Sequence, residues 1–161
     1  MQLERTLVLI KPDAVRRGLI GEIIRRIEVK GFKMKAARMM QLDRKTAERH
    51  YAEHEGKVFY SPLIEFITSA PLLAMVWEGR RIVETMRRMS GSTDSADAQP
   101  GTIRGDLALS TRYNLIHASD SPEAAEREIS LFFPDAELLG YERLEDSLPF
   151  VDTDFPAEER S

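Results

Sequence analysis

The chain has 161 residues, 42% hydrophobic and 31% charged, a balance that suits one folded domain with a real core and excludes a disordered chain. Its net charge of −4 argues against a dedicated nucleic-acid binder, which carries a basic surplus. The absence of cysteine removes disulfides, cysteine zinc sites and thiol catalysis, and the longest plain apolar run, residues 71–77, falls far short of the roughly 20 residues of a membrane helix.

The N-terminus lacks the layout of a cleavable signal, so a cytoplasmic protein is expected. Residues 6–10 form a short β-branched apolar run halted by Lys11-Pro12-Asp13, which reads as a buried strand entering a turn. Ile20, Ile23, Ile24 and Ile27 follow the i, i+3, i+4, i+7 spacing of an amphipathic helix, closed by Gly31 as a C-cap. Residues 32–42 read as a strand, and Asp43 caps a helix running to about His54. A short helix over residues 63–68 precedes a second buried strand, 72–77, and then a helix over 80–89. Residues 90–112 carry three glycines and read as a long ordered loop, a kind of segment that is usually functional. Strand character returns at 113–116, and Ser121-Pro122 opens a helix to about Phe133. Residues 145–161 form an acidic, proline-containing tail to what otherwise reads as one domain spanning 1–161. Alternating strands and helices imply an α/β (α+β) sandwich, and the few strands favour a small ferredoxin-like antiparallel sheet covered by helices over a doubly wound one.

Phosphate-cradling loops are absent: no G-x-G pair, no P-loop and no protein-kinase signature occurs. If the chain handles phosphate, arginine forks and lysine charges must hold it. His50 and His54 fit an H-x-x-E-H zinc pattern on one predicted helix, or an ordinary charged helix. His117 ends a strand just before a helix N-terminus, a position that favours anionic ligands but also suits a structural histidine. Placing the following helix at 100° per residue puts Glu128 in the middle of an apolar arc made by Ala124, Ala125, Ile129, Leu131 and Phe132. A carboxylate there needs a partner. His117 and Ser119 are nearest in sequence, and an arginine would serve as well. A carboxylate accepting from one imidazole nitrogen would leave the other free as a nucleophile. Among the basic residues, Lys11 follows a buried strand, Arg88 is placed to pair with Glu84 and leave Arg87 unclaimed, and Arg104 lies in the glycine-bearing loop.

Three segments then match something known. Lys11-Pro12-Asp13-Ala14, Pro100-Gly101-Thr102-Ile103-Arg104-Gly105-Asp106 and Asn114-Leu115-Ile116-His117-Ala118-Ser119-Asp120 together closely resemble the nucleoside diphosphate kinases, from about Glu4 to Tyr141. The resemblance implies ping-pong transfer of the γ-phosphate of ATP or another triphosphate to a nucleoside diphosphate through a phosphohistidine. His117 matches the nucleophile, with Glu128 and Ser119 orienting it. Lys11, Tyr51, Arg87, Thr93, Arg104 and Asn114 match the active-site shell, and Phe59 the aromatic under the base. It further implies Mg²⁺ held by nucleotide phosphates and water with no direct protein ligand, and a homo-oligomer, hexameric or tetrameric; the composition separately argues against a membrane or dedicated nucleic-acid partner. Two features depart from the pattern or complicate it. Ala118 replaces a frequent glycine, a strain if its φ is positive, and Asn114 and His117 reach one site only if the strand bends near Ile116. A non-catalytic nucleotide-binding module and a zinc hydrolase on His50 and His54 are the competing readings.

Overall fold

The apolar run after Arg5 becomes the central strand of a sheet, with Leu7, Val8, Leu9 and Ile10 all fully buried. In the computed structural model, which describes residues 2–134 and 138–144, the strands are β1 (Leu3–Ile10), β2 (Lys33–Met40), β3 (Leu72–Arg80) and β4 (Ile116–Ala118). The helices are α1 (Pro12–Arg16), α2 (Ile20–Val29), α3 (Arg44–His50), α4 (Tyr60–Ile67), α5 (Ile82–Ser90), α6 (Ile103–Leu107) and α7 (Pro122–Phe132), with a 3₁₀ turn at Ala52–His54. The expected C-terminal tail, 145–161, lies outside the described residues.

The sheet runs β2-β3-β1-β4 with every neighbouring pair antiparallel, the β-α-β-β-α-β order of a ferredoxin-like sandwich. Side-chain alternation along β1 sends Val8 and Ile10 to one face and Leu7 and Leu9 to the other. The first face packs with Ile23 and Ile27 of α2 and with Ile82, Val83 and Met86 of α5. The second packs with Ala47 of α3, Ile64 and Ile67 of α4, and Phe132 of α7. The isoleucine stripe foreseen in α2 is therefore the stripe that is buried, and Gly31 follows the helix end at φ 97°.

Several boundaries differ from expectation. The strand expected to stop at Trp77 runs on to Arg80, because residues 3–5 extend β1 and pair with it. Arg81 then turns the chain at φ 50°, so α5 starts at Ile82 instead of residue 80. Asp43 caps α3 as expected, its carboxylate accepting from the Thr46 amide, but the helix stops at His50 and a separate 3₁₀ turn carries His54. The long loop contains α6, whose Thr102 hydroxyl accepts from Gly105 N–H. A short helix, α1, follows Lys11 directly where only a turn was expected.

Candidate active site

β4 is shorter and later than the strand expected at 113–116, because Leu115 sits at φ 74° and breaks the extended run. Two hydrogen bonds hold that left-handed residue: Lys11 N–H donates to its carbonyl at 2.8 Å, and its own N–H donates to Asp13 Oδ2 at 3.1 Å. This is the bend needed to let Asn114 and His117 face one cleft. Ala118 pairs regularly with Val8 and is not among the residues of positive φ, so the strain feared there does not arise.

His117 lies opposite Leu9 and so projects from the sheet face covered by α3, α4 and α7. Ser121 caps α7 through the Ala124 amide, with Pro122 at the first helical position, as the sequence predicted. That start sets the helix phase and turns Glu128 inward, where it is 4% exposed. Its Oε2 lies 2.9 Å from His117 Nε2 and accepts from Ser119 Oγ at 2.8 Å, while Arg127 stands 3.9 Å from the other oxygen. Burial alone would push this carboxyl up. The hydrogen bonds from His117 and Ser119, with the charges of His117 and Arg127, outweigh it and hold the group below its ordinary value. The partner choice left open by the sequence is settled in favour of His117 and Ser119. With Nε2 donating to the carboxylate, Nδ1 carries the free lone pair.

A cleft of about 650 Å³ opens over this imidazole. Lys11, Tyr51, Phe59, Arg87, Thr93, Arg104, Asn114, His117 and Glu128 all line it, while Ser119 sits behind, fully buried. Lys11 Nζ donates to Asn114 Oδ1 at 2.8 Å, and Asn114 Nδ2 donates to the Thr93 carbonyl at 3.3 Å. Burial, then the charge of Arg104, lowers the Lys11 ammonium to about 8. The Arg104 guanidinium donates to the carbonyls of Asn114, Gly91 and Ile116, which leaves two of its five N–H groups for a ligand. Burial and the neighbouring Arg87 charge lower it to about 10. The Tyr51 hydroxyl is buried with no hydrogen-bond partner among the described residues. Phe59 stays half-exposed at the mouth, its ring edge-on to His54 at 5.3 Å.

Three features were missed. Arg87 is paired with Asp120 across the cleft, and Glu84 takes Arg81 at 2.5 Å in place of Arg88. Asp13 pins the bend. His50, read only as a partner of His54, instead packs its ring against His117 at 4.6 Å. His54 sits on its own turn with Nδ1 3.2 Å from Lys57 Nζ, so the two-histidine zinc face does not form. None of these contacts has a sequence signal except His50, which precedes Tyr51 at a helix end.

A bent strand end, an acid-steered imidazole and a cation-lined cleft define a site for phosphorylated ligands. The family model for nucleoside diphosphate kinase matches residues 4–138. Relatives named nucleoside diphosphate kinase include those of Ignicoccus hospitalis, 59% identical over 87% of this chain and 96% of its own length, and Thermomicrobium roseum, 56% identical over 88% and 95%. The structure of a halophilic nucleoside diphosphate kinase from Halobacterium salinarum in complex with CDP superimposes with a TM-score of 0.87 at 50% identity, covering 90% of this chain and 97% of the other. The chain is an enzyme of the nucleoside diphosphate kinase family.

Proposed function

We propose that the chain transfers the γ-phosphate of ATP and other nucleoside triphosphates to nucleoside diphosphates in two half-reactions through a phosphorylated His117. The observation carrying this reading is the Glu128 contact to Nε2, which leaves Nδ1 as the nucleophile over a cleft lined by Lys11, Arg87 and Arg104. In the first half-reaction the Nδ1 lone pair bonds to phosphorus as the bond to the β-phosphate oxygen breaks, and the nucleoside diphosphate leaves. The second half-reaction reverses these events on an incoming diphosphate. Charge spreads over the equatorial oxygens of a loose transition state, so alignment and fixed positive charge do most of the catalysis.

Arg87, Arg104 and Thr93 hold the terminal phosphates, Lys11 and Asn114 the ribose hydroxyls and phosphate end, and Tyr51 donates its unpaired hydroxyl. Phe59 offers a π-face that every base can use, which supports broad base tolerance. Ser119 and Glu128 keep the imidazole in one tautomer. The cleft fits Mg²⁺ carried on the nucleotide: Asp120 is engaged by Arg87, so the ion would take its oxygen ligands from phosphates and water. Bound there, it would neutralise phosphate charge. We place the reaction in the cytoplasm and the active form in a homo-oligomer, a hexamer or else a tetramer. Exposed Met39, Leu109 and Tyr113 offer apolar surface for such contacts. Among the described residues, no helix is long and apolar enough to cross a membrane.

The test is incubation with γ-labelled ATP. An acid-labile phosphoenzyme that GDP discharges, and that His117→Ala abolishes, is expected. Normal labelling of that variant would refute the role of His117, and ADP binding without transfer would favour a non-catalytic module.

A further inference from the structure

The reaction above leaves His50 without a task. Its side chain is 3% exposed, yet neither ring nitrogen has a hydrogen-bond partner among the described residues. Burying an imidazole in that state costs free energy that a phenylalanine of similar shape would not cost. The ring packs edge-to-face with Tyr51, His117 and Phe132 at centroid distances of 4.4, 4.6 and 5.1 Å. One donor atom each from His50, His117 and Glu128 lie within 4.8 Å of one another.

Two imidazole nitrogens and one carboxylate oxygen form a donor set used by Zn²⁺ in sites that keep a fourth position open. Mg²⁺ is a poor match, since it demands octahedral oxygen. Two further features of a usable site are present. Ser119 donates to the Glu128 carboxylate from behind, orienting a ligand through its outer partner. All three side chains line the cleft, so an ion has a route from solvent. Tetrahedral Zn²⁺ at ~2.0–2.1 Å sets its donors about 3.3 Å apart, so the set must contract by roughly an ångström or more. His50 is the one of the three that no hydrogen bond holds, so contraction there costs ring packing and no hydrogen bond.

We propose that His50, His117 and Glu128 form an inhibitory site for a borderline transition-metal ion, Zn²⁺ foremost, open when no nucleotide is bound. Coordination through Nε2, the nitrogen facing Glu128, shifts its proton by way of solvent to Nδ1, where it occupies the lone pair that attacks phosphorus. The binding rests on the geometry, and its inhibitory consequence rests on His117 being the nucleophile.

The test titrates Zn²⁺ into the full-length protein without nucleotide, by calorimetry, and compares wild type with His50→Phe, a change that preserves packing. If His50→Phe fails to fold by circular dichroism, His50→Gln takes its place. One Zn²⁺ per chain is expected, with affinity at least tenfold weaker in the variant and no comparable Mg²⁺ binding. Prior Zn²⁺ should suppress phosphoenzyme formation in wild type, a zinc-selective chelator should restore it, and the His50 variant should resist. Absence of Zn²⁺ binding, or equal binding by the variant, overturns the site. Zn²⁺ bound without suppression overturns the inhibition when His117→Ala still abolishes labelling. Normal labelling of His117→Ala identifies the nucleophile assignment as the failed premise.

Discussion

Glu128→Gln isolates what the carboxylate charge contributes. The native group accepts at one oxygen from His117 Nε2, at 2.9 Å, and from Ser119 Oγ, at 2.8 Å, with its side chain almost wholly out of water. Glutamine keeps the shape and one carbonyl acceptor but loses the charge. A hydrogen bond to an ionised acceptor is worth about 1.5–3 kcal/mol against about 0.5–1.5 for a neutral one, so the imidazole loses about 1–2 kcal/mol of support. In the proposed reaction that support grows as Nδ1 attacks phosphorus and the ring gains positive character, so the loss would fall on the transition state. Phosphorylation of His117 should therefore slow about 5- to 30-fold, at about 1.36 kcal/mol per tenfold. Rapid-quench measurement of phosphoenzyme formation from labelled ATP reads this directly, with a thermal melt confirming the fold. A rate within about twofold of wild type would show that the carboxylate is merely structural, refuting the estimated 1–2 kcal/mol.

The Lys11 ammonium, lowered to about 8, should make nucleotide KM rise above that pH as the positive charge is lost, by up to about tenfold per unit. Lys11→Arg should flatten this limb between pH 7.5 and 9.5, and an unchanged limb would assign it elsewhere. Phe59→Ala should raise KM for purine and pyrimidine nucleotides alike by about 5- to 10-fold, the low end of base stacking because the ring is half-exposed; an effect confined to one base class contradicts the stacking role. Ser121→Ala removes the α7 cap and should cost about 1 kcal/mol in urea unfolding. Glu128 makes stability fall at low pH: its lowered folded-state value gives stability that is complete above the ordinary carboxylate value of 4.5 and lost as pH drops through the folded one. A Glu128→Gln unfolding profile as steep in acid as wild type would count against that assignment.

What could be read from the chain was whatever depends on local pattern. The β1 run, the isoleucine stripe of α2, the Ser121-Pro122 helix start and the inward phase of Glu128 all follow from spacing and capping chemistry, and each recurs in the structure. The ten proposed site residues also come together, nine on the cleft wall and Ser119 behind it. What escaped depends on contacts distant in sequence. The Leu115 bend is imposed by Lys11 and Asp13, about a hundred residues away, against leucine's preference for negative φ. The extension of β3 to Arg80 comes from pairing with residues 3–5, and the left-handed Arg81 then forces the helix to start late. The break after His50 has no proline or glycine to announce it, and α6 is too short for a periodic signal. Asp120 holds Arg87 only because the fold sets the β4 end beside α5.

The most direct measurement concerns which imidazole nitrogen carries the phosphoryl group. Phosphorus–nitrogen correlation NMR of the isolated phosphoenzyme, labelled with ¹⁵N-histidine, should place phosphorus on Nδ1 of His117 with the Nε2 proton retained toward Glu128. Phosphorus on Nε2, or on any other residue, would contradict the account.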